Sequence, residues 1–345
     1  MHNQKPNHTS PLVSICIPTY NRLDLLKIAL QSCFNQTFEN YEIIISDNSD
    51  NNQTQDFIKS LSKNNIRYFK NTENIGPEKN VALSISLGVG KYIKPLMDDD
   101  VLMPTALEEM VGIMESQKNV GVVMAPLNII NLEGKQITQQ AYLIKKRRLL
   151  YRYKKSSQLV HKKLVLIDFM TKQYPCCIPS GLMYRNEGIQ RLGSIDVEMK
   201  FIGDVEICAR FATAYDFYYI DKPLSSWRHS ELSYTVVNLH QQGESTEIYY
   251  RITEKLLANP SVRNIFSEKE FSKIKKKAYF FSTKRTVISV IAGIRTKNVS
   301  LILQTLKIMK RNEPYISNLV ILPFNLAGEI MMAGLSWIKQ DRVFN

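Results

Sequence analysis

The chain has 345 residues, a hydrophobic fraction of 44% and a net charge of +13. That apolar content supports a packed core and excludes a disordered chain, while the charge asks for an anionic partner such as nucleotide phosphates, anionic lipid or nucleic acid. Five cysteines, an odd number without any C-x-x-C spacing, exclude a disulfide framework.

Residues 1–10 are polar and read as a loose tail without a secretory signal, so a reducing, cytoplasmic setting is expected. Leu12 to Ile17 is a β-branched run that reads as a buried strand, ended by Pro18. Thr19-Tyr20-Asn21-Arg22 forms a crossing loop. Asn21 and Asp24 are spaced like a helix-start box, and Leu23, Leu26, Leu30 and Cys33 recur at helical spacing. Cys16 and Cys33 are expected as buried thiols, and the adjacent Cys176 and Cys177 suit no zinc site.

Glu42 to Ser46 is the second strand, running into Asp47. A helix through Phe57, Ile58 and Leu61 and a strand from Ile66 to Phe69 follow. Gly76 and Pro77 then open a helix, with Lys79 in its first turn. A helix amino end beside a lysine is an anion site, and an ordinary surface lysine is the equal alternative. An apolar run from Tyr92 to Met97 stops at Asp98-Asp99-Asp100, and Pro104 marks the first turn of the next helix.

Continued strand geometry would put Asp98 and Asp100 on one face and Asp99 on the other. Crowded carboxylates repel, and a hard divalent cation offsets the repulsion. The plain alternative is a solvated acidic turn. The alternation of strands and helices predicts a parallel α/β sheet, whose loops at Thr19 to Asn21, Asp47 and Asp98 to Asp100 gather along the carboxyl edge. Neither G-x-G-x-x-G nor G-x-x-x-x-G-K occurs there.

Leu107 to Ile113 reads as a helix and Val120 to Ala125 as a strand continuing toward Asn131. Lys145, Lys146, Arg147, Arg148, Arg152, Lys154, Lys155, Lys162 and Lys163 form a basic segment. It is either a solvated loop or a surface for a pyrophosphate or a membrane. Without any nucleic-acid module signature, nucleic acid is not the expected partner. Asp204 opens a helix carrying Ile207 and Phe211, where it could serve as an N-cap.

Glu244 to Leu257 reads as a helix, and Phe266 to Lys310 as basic and helical. Tyr315 to Ile338 is nearly uncharged, but Pro323, Asn325 and Glu329 argue against a lipid-exposed span. An interfacial segment and a helix packed in the protein or in a homodimer are the two readings.

Val13-Ser14-Ile15-Cys16-Ile17-Pro18-Thr19-Tyr20-Asn21-Arg22 resembles the opening of family 2 glycosyltransferases of the GT-A fold. Glu42 to Asp47 resembles their second strand, Asn74-Ile75-Gly76 their Asn-x-Gly loop, and Asp98-Asp99-Asp100 their Asp-x-Asp motif. The Gly-Pro-Glu-Lys-Asn form resembles O-antigen, abequosyltransferase-like members. The resemblance implies a GT-A domain, a Rossmann-like and mostly parallel sheet flanked by helices, over 11–235, with a helical extension over 236–345.

It also implies roles. Pro18, Thr19, Tyr20, Asn21, Arg22, Asp47, Asn74, Gly76, Lys79, Asp98 and Asp99 would meet the nucleotide sugar. Asp98, Asp100 and His229 would hold Mn²⁺ or Mg²⁺. Ser180, Gly181 and Arg228 would face the acceptor, and Asp204 would be the general base, with Glu206 as fallback. The family's usual Glu before that Asp is replaced by Gly203, and Lys79 stands where an Arg is usual.

The activity implied is inverting, metal-dependent sugar transfer from a nucleoside diphosphate to a hydroxyl of a lipid-linked glycan, at the inner membrane face. A nucleotidyltransferase and a non-catalytic glycan- or lipid-binding scaffold are the alternatives.

Overall fold

The computed structural model describes residues 10–137, 156–172, 178–229, 242–295, 297–300 and 302–303. The expectations for residues 1–9, the basic stretch 145–155, Cys176, Cys177 and the segment 315–338 lie outside them. Contacts divide the chain into two units, Met1–Phe169 with Tyr174–Val236, and Met170–Gln173 with Val237–Asn345.

The first unit opens with β1 (Val13–Thr19), α1 (Leu23–Phe34), β2 (Tyr41–Asp47), α2 (Gln53–Ser60), β3 (Ile66–Lys70), α3 (Pro77–Ser86) and β4 (Tyr92–Pro95). A two-residue strand β5 (Val101–Leu102), α4 (Ala106–Ser116), β6 (Val120–Met124) and β7 (Leu127–Ile130) follow. Then come β8 (Gln158–Val160), α5 (Lys162–Lys172, of which the residues from Met170 on are counted with the second unit), a 3₁₀ turn at Pro179–Gly181, β9 (Leu182–Arg185) and α6 (Asn186–Leu192). A second 3₁₀ segment at Val197–Ile202, α7 (Gly203–Phe211), β10 (Asp216–Tyr219) and β11 (Ser225–Arg228) complete it.

Among the described residues eight strands form one sheet in the order β3-β2-β1-β4-β9-β6-β10-β8. β3, β2, β1 and β4 pair in parallel, β9 runs against both β4 and β6, and β10 is parallel to β6. Every residue of β1 is buried, as a strand covered on both faces must be. Val13, Ile15, Ile17, Ile43 and Ile45 share a core with Leu26, Leu30 and Cys33 of α1. Each such side chain contributes about 2 kcal/mol through burial. Cys16 and Cys33 are buried free thiols, as expected.

Several boundaries differ from the sequence reading, each for a local reason. β1 continues through Pro18 to Thr19. The Cys16 carbonyl accepts from Leu96 N–H on the β4 side, so by the strand's period of two Pro18 faces that side too, beyond the end of β4. A residue without an N–H loses no ladder bond there. Helix α1 is preceded by Arg22 rather than capped by Asn21, which takes a left-handed φ of 52° and bonds across to the β2 loop instead.

Pro104 lies one residue ahead of the α4 N-cap, Thr105. The run from Val120 toward Asn131 breaks into β6 and β7, which belong to different sheets. β7 joins β11 and β5 in a small sheet, β5-β11-β7.

The second unit contains α8 (Gln242–Ala258), α9 (Pro260–Arg263) and the long α10 (Glu268–Arg295). Among the described residues no helix is long and apolar enough to cross a membrane.

Candidate active site

Strand β4 gives way to a turn. Asp100 N–H bonds the Met97 carbonyl at 3.0 Å, so Asp98 and Asp99 occupy the turn's centre. The strand alternation expected for the three acids is therefore absent. Asp98 and Asp99 share Arg22, whose guanidinium lies 3.5 Å from Asp98 and 3.0 Å from Asp99. Thr19 Oγ1, at the end of β1, donates to Asp98 Oδ2 at 2.8 Å.

Asp100 points inward, fully buried. Its Oδ2 accepts from Ser180 Oγ, and its Oδ1 accepts from the Arg228 backbone N–H at 2.9 Å. Ser180 Oγ also receives Met97 N–H at 3.1 Å.

Ser180, Gly181 and Arg228, expected on the acceptor side, are buried beneath this turn. The Arg228 guanidinium donates to the carbonyls of Asp99, Asn131 and Leu132. A Cβ on Gly181 would stand 2.8 Å from the Ala125 carbonyl, which is why the chain can pass so close. Their partners are the acid turn and its neighbours.

Lys94 is the surprise of β4. It interrupts what reads as an apolar run and is fully buried. Its Nζ donates to the Ser180 carbonyl at 2.6 Å and the Pro95 carbonyl at 3.1 Å. Burial pulls its ammonium down to about 7, against the nearby Asp100 charge. The signal in the sequence was a charged residue inside a central strand.

All three acids are held above the usual carboxylate range. Burial is the main cause for each, and Asp99 adds repulsion to Asp98 and Asp100. Hard oxygen donors crowded in this way suit a divalent cation, and Mg²⁺ sites commonly use one or two carboxylates with substrate phosphates completing the shell. The expected three-residue set is not assembled. Among the described residues no group of three or more His, Cys, Asp or Glu is placed to hold an ion. Asp98 turns to Thr19 and Arg22, and Asp100 is held by Ser180 and Arg228. His229 keeps a buried Nδ1 without a partner.

The neighbouring loops meet the same edge. Thr19 pairs in register with Asp47. Asp47, expected at the nucleotide base, is fully covered. Its Oδ1 accepts from Ser49 N–H at 2.8 Å and its Oδ2 from the Tyr68 hydroxyl at 2.6 Å, with Lys70 at 3.5 Å. Tyr20 is exposed.

Gly76, at a φ of 86°, turns the chain into α3, whose first turn carries the exposed Lys79. Asn74 Oδ1 accepts from Gly76 N–H and from Asn48. Asn80 is buried and stitches the edge together. Its amide donates to the carbonyls of Thr19 and Ser46 and accepts from Ser46 Oγ and Asn71. Asn80, Lys70, Tyr68 and Lys94 had no assigned role from sequence, because each acts through partners distant along the chain.

Asp204 lies in the first turn of α7, after Ile202 rather than at the cap itself. The helix leads by a short link into β10, which pairs in parallel with β6 from Val120. Its amino end therefore lies toward the carboxyl edge of the sheet. Asp204 is partly buried and accepts Val205 N–H at 2.9 Å. Burial pushes its carboxyl up to about 7, the range of a general base. Glu206, the fallback, is buried in a two-pronged ion pair with Arg210 at 2.6 Å.

A mostly parallel sheet with braced acids at its carboxyl edge defines an α/β transferase of the GT-A type. The family model for glycosyl transferase family 2 matches residues 14–193. The chain belongs to this family and is a glycosyltransferase, which sets aside the nucleotidyltransferase and scaffold readings.

Among curated relatives, an uncharacterized glycosyltransferase of Rickettsia prowazekii is 25% identical over 313 residues, 88% of this chain and 93% of its own. The abequosyltransferase RfbV of Salmonella typhimurium is 37% identical over 115 residues, 32% of this chain and 34% of its own. A GalNAc(5)-diNAcBac-PP-undecaprenol beta-1,3-glucosyltransferase of Campylobacter jejuni is 35% identical over 103 residues, 29% of this chain and 33% of its own.

Solved structures share the fold at low identity. Residues 1–349 of Staphylococcus aureus TarS give a TM-score of 0.57 at 13% identity, covering 87% of this chain and 91% of that one. The Pyrobaculum calidifontis mannosyltransferase PcManGT, solved with GDP-Man and Mn²⁺, gives 0.54 at 14%, covering 90% and 83%.

Proposed function

We propose that this glycosyltransferase moves a sugar, with inversion and with the help of a divalent cation, from a nucleoside diphosphate to a hydroxyl of a lipid-linked glycan. The observation that carries the reading is the acid turn, faced by Arg22 and braced from behind by Ser180 and Arg228 at the edge where β1 and β2 end. Residues 11–235 form the catalytic part and 236–345 an accessory part.

In this reading Pro18, Thr19, Tyr20, Asn21 and Asp47 border the base and ribose, and Asn74, Gly76 and Lys79 face the diphosphate. The amino end of α3 and the Lys79 ammonium favour negative charge there. Asp204 takes the proton of the acceptor hydroxyl as its oxygen attacks the anomeric carbon. The nucleoside diphosphate departs from the opposite side, so the configuration inverts. Asp98 and Asp100 would hold Mg²⁺ or Mn²⁺, which when bound would supply Lewis-acid neutralisation of the leaving diphosphate. Buried groups behind Asp100 keep its carboxylate from swinging, so orientation is prepared before the donor arrives.

The lipid-linked acceptor is supported by the Campylobacter relative, whose name specifies a PP-undecaprenol acceptor. Action at the inner face of the membrane follows from such an acceptor. Thermal melts of the full chain with UDP, GDP and their sugars, each with and without Mn²⁺, test the reading. A cation-dependent rise is expected with one donor class, because a ligand bound to the native state raises apparent stability. No such rise with any nucleoside diphosphate would count decisively against it.

A further inference from the structure

Helix α10 divides its side chains sharply. Phe271, Ile274, Ala278, Ser282, Thr286 and Ser289 are buried along one side. Lys269, Lys273, Lys276 and Lys277 are exposed on the other. At 3.6 residues per turn, Phe280 and Ile294 continue the lysine stripe, and both are exposed, at 43% and 61%. Val287 and Ile291, half-buried, lie on the same line.

The helix has two acids, both in its first turn. Glu268 pairs with Arg263, and Glu270 accepts from Ser267 N–H at 3.0 Å. Beyond Glu270 nothing acidic in the helix offsets the lysines. The face thus sets exposed Phe280 and Ile294 beside the exposed lysines.

We propose that this stripe of α10 docks on an anionic lipid surface. The lysines meet headgroup phosphates, and Phe280 with the residues after it enters the acyl boundary. The inference deepens the lipid-linked acceptor reading and rests on it, since such an acceptor is presented at a membrane.

The full chain should sediment with vesicles of phosphatidylglycerol and phosphatidylethanolamine roughly tenfold more strongly than with phosphatidylcholine vesicles. Added salt should weaken this binding. The triple change Lys273→Glu, Lys276→Glu and Lys277→Glu should lower the anionic partition by roughly tenfold or more, with an unchanged circular dichroism spectrum. Phe280→Ser should lower the residual binding at high salt, where lysine attraction is screened.

Equal partition onto neutral vesicles overturns the proposal. So does binding that the triple change leaves intact, a single-stranded RNA oligonucleotide that displaces the chain from vesicles, or a solution dimer that shields Lys273 and Lys276 from modification. Should the triple variant not fold, vesicle composition, salt and Phe280→Ser decide the matter. Vesicle binding is read without turnover. A chain that binds nucleotide sugar but ignores vesicles fails here alone, and one that binds vesicles but no nucleotide fails only the donor reading.

Discussion

The Ser180 hydroxyl donates to Asp100 Oδ2, joining two residues eighty positions apart in the chain. The contact ties the acid turn to the sheet edge, because Ser180 lies in the 3₁₀ turn that leads into β9, which pairs with β4. Ser180→Ala leaves a buried carboxylate oxygen without its donor. We expect a stability loss of about 1–3 kcal/mol. Transfer should slow by roughly tenfold or more as Asp100 loses its orientation. Denaturant melts and steady-state rates check both.

Asp204→Asn removes the proton acceptor. Turnover should fall by roughly 10²–10⁴-fold while nucleotide binding persists. In the wild type the rate should rise with pH through about 7, since the base works only when ionised. Stability should move the opposite way. A carboxyl raised in the fold keeps its proton after the unfolded chain has lost it, so stability falls between the ordinary value of 3.8 and about 7. The Asn variant should therefore melt higher than wild type at pH 8, and the gap should close near pH 4. Unchanged turnover in this variant would refute the assignment of the base.

Lys94 is a buried cation within hydrogen-bond reach of carbonyls only. With its ammonium pulled down to about 7, the burial penalty is fully present below that pH. It is relieved as pH rises toward the unfolded value of 10.5, because the unfolded chain then holds the proton the native state has lost. Lys94→Met should gain stability relative to wild type at pH 6, and less so at pH 9. It should also turn over more slowly, because Ser180 loses a tether. Melts at the two pH values and rates at one of them separate the two effects.

Asn80→Ala deletes an amide that bonds Thr19, Ser46 and Asn71. Several buried polar groups are left without partners at once. A loss of about 2–4 kcal/mol is expected, at the upper end for a single polar deletion. Hydrogen exchange should loosen at the ends of β1 and β2 before the rest of the sheet.

Much of this architecture was legible from local pattern. The apolar runs at Ile15, Ile43 and Ile93 mark strands covered on both faces, and Gly76-Pro77 marks a helix start, because burial and backbone restriction act within a few residues. The three acids after β4 were visible for the same reason. Their directions were not. Strand alternation put Asp98 with Asp100, whereas the turn closed by Asp100 N–H pairs Asp98 with Asp99 at Arg22.

The contacts of Ser180, Gly181 and Arg228 beneath the turn were likewise not visible. Lys94 and Asn80 could not be assigned at all. The sequence by itself determined where the elements form and that carboxylates would stand at one sheet edge, since periodicity and chain order carry that information. Only the tertiary structure decided what each carboxylate touches, because hydrogen bonds between residues far apart in the chain depend on strand order, and strand order leaves no local mark.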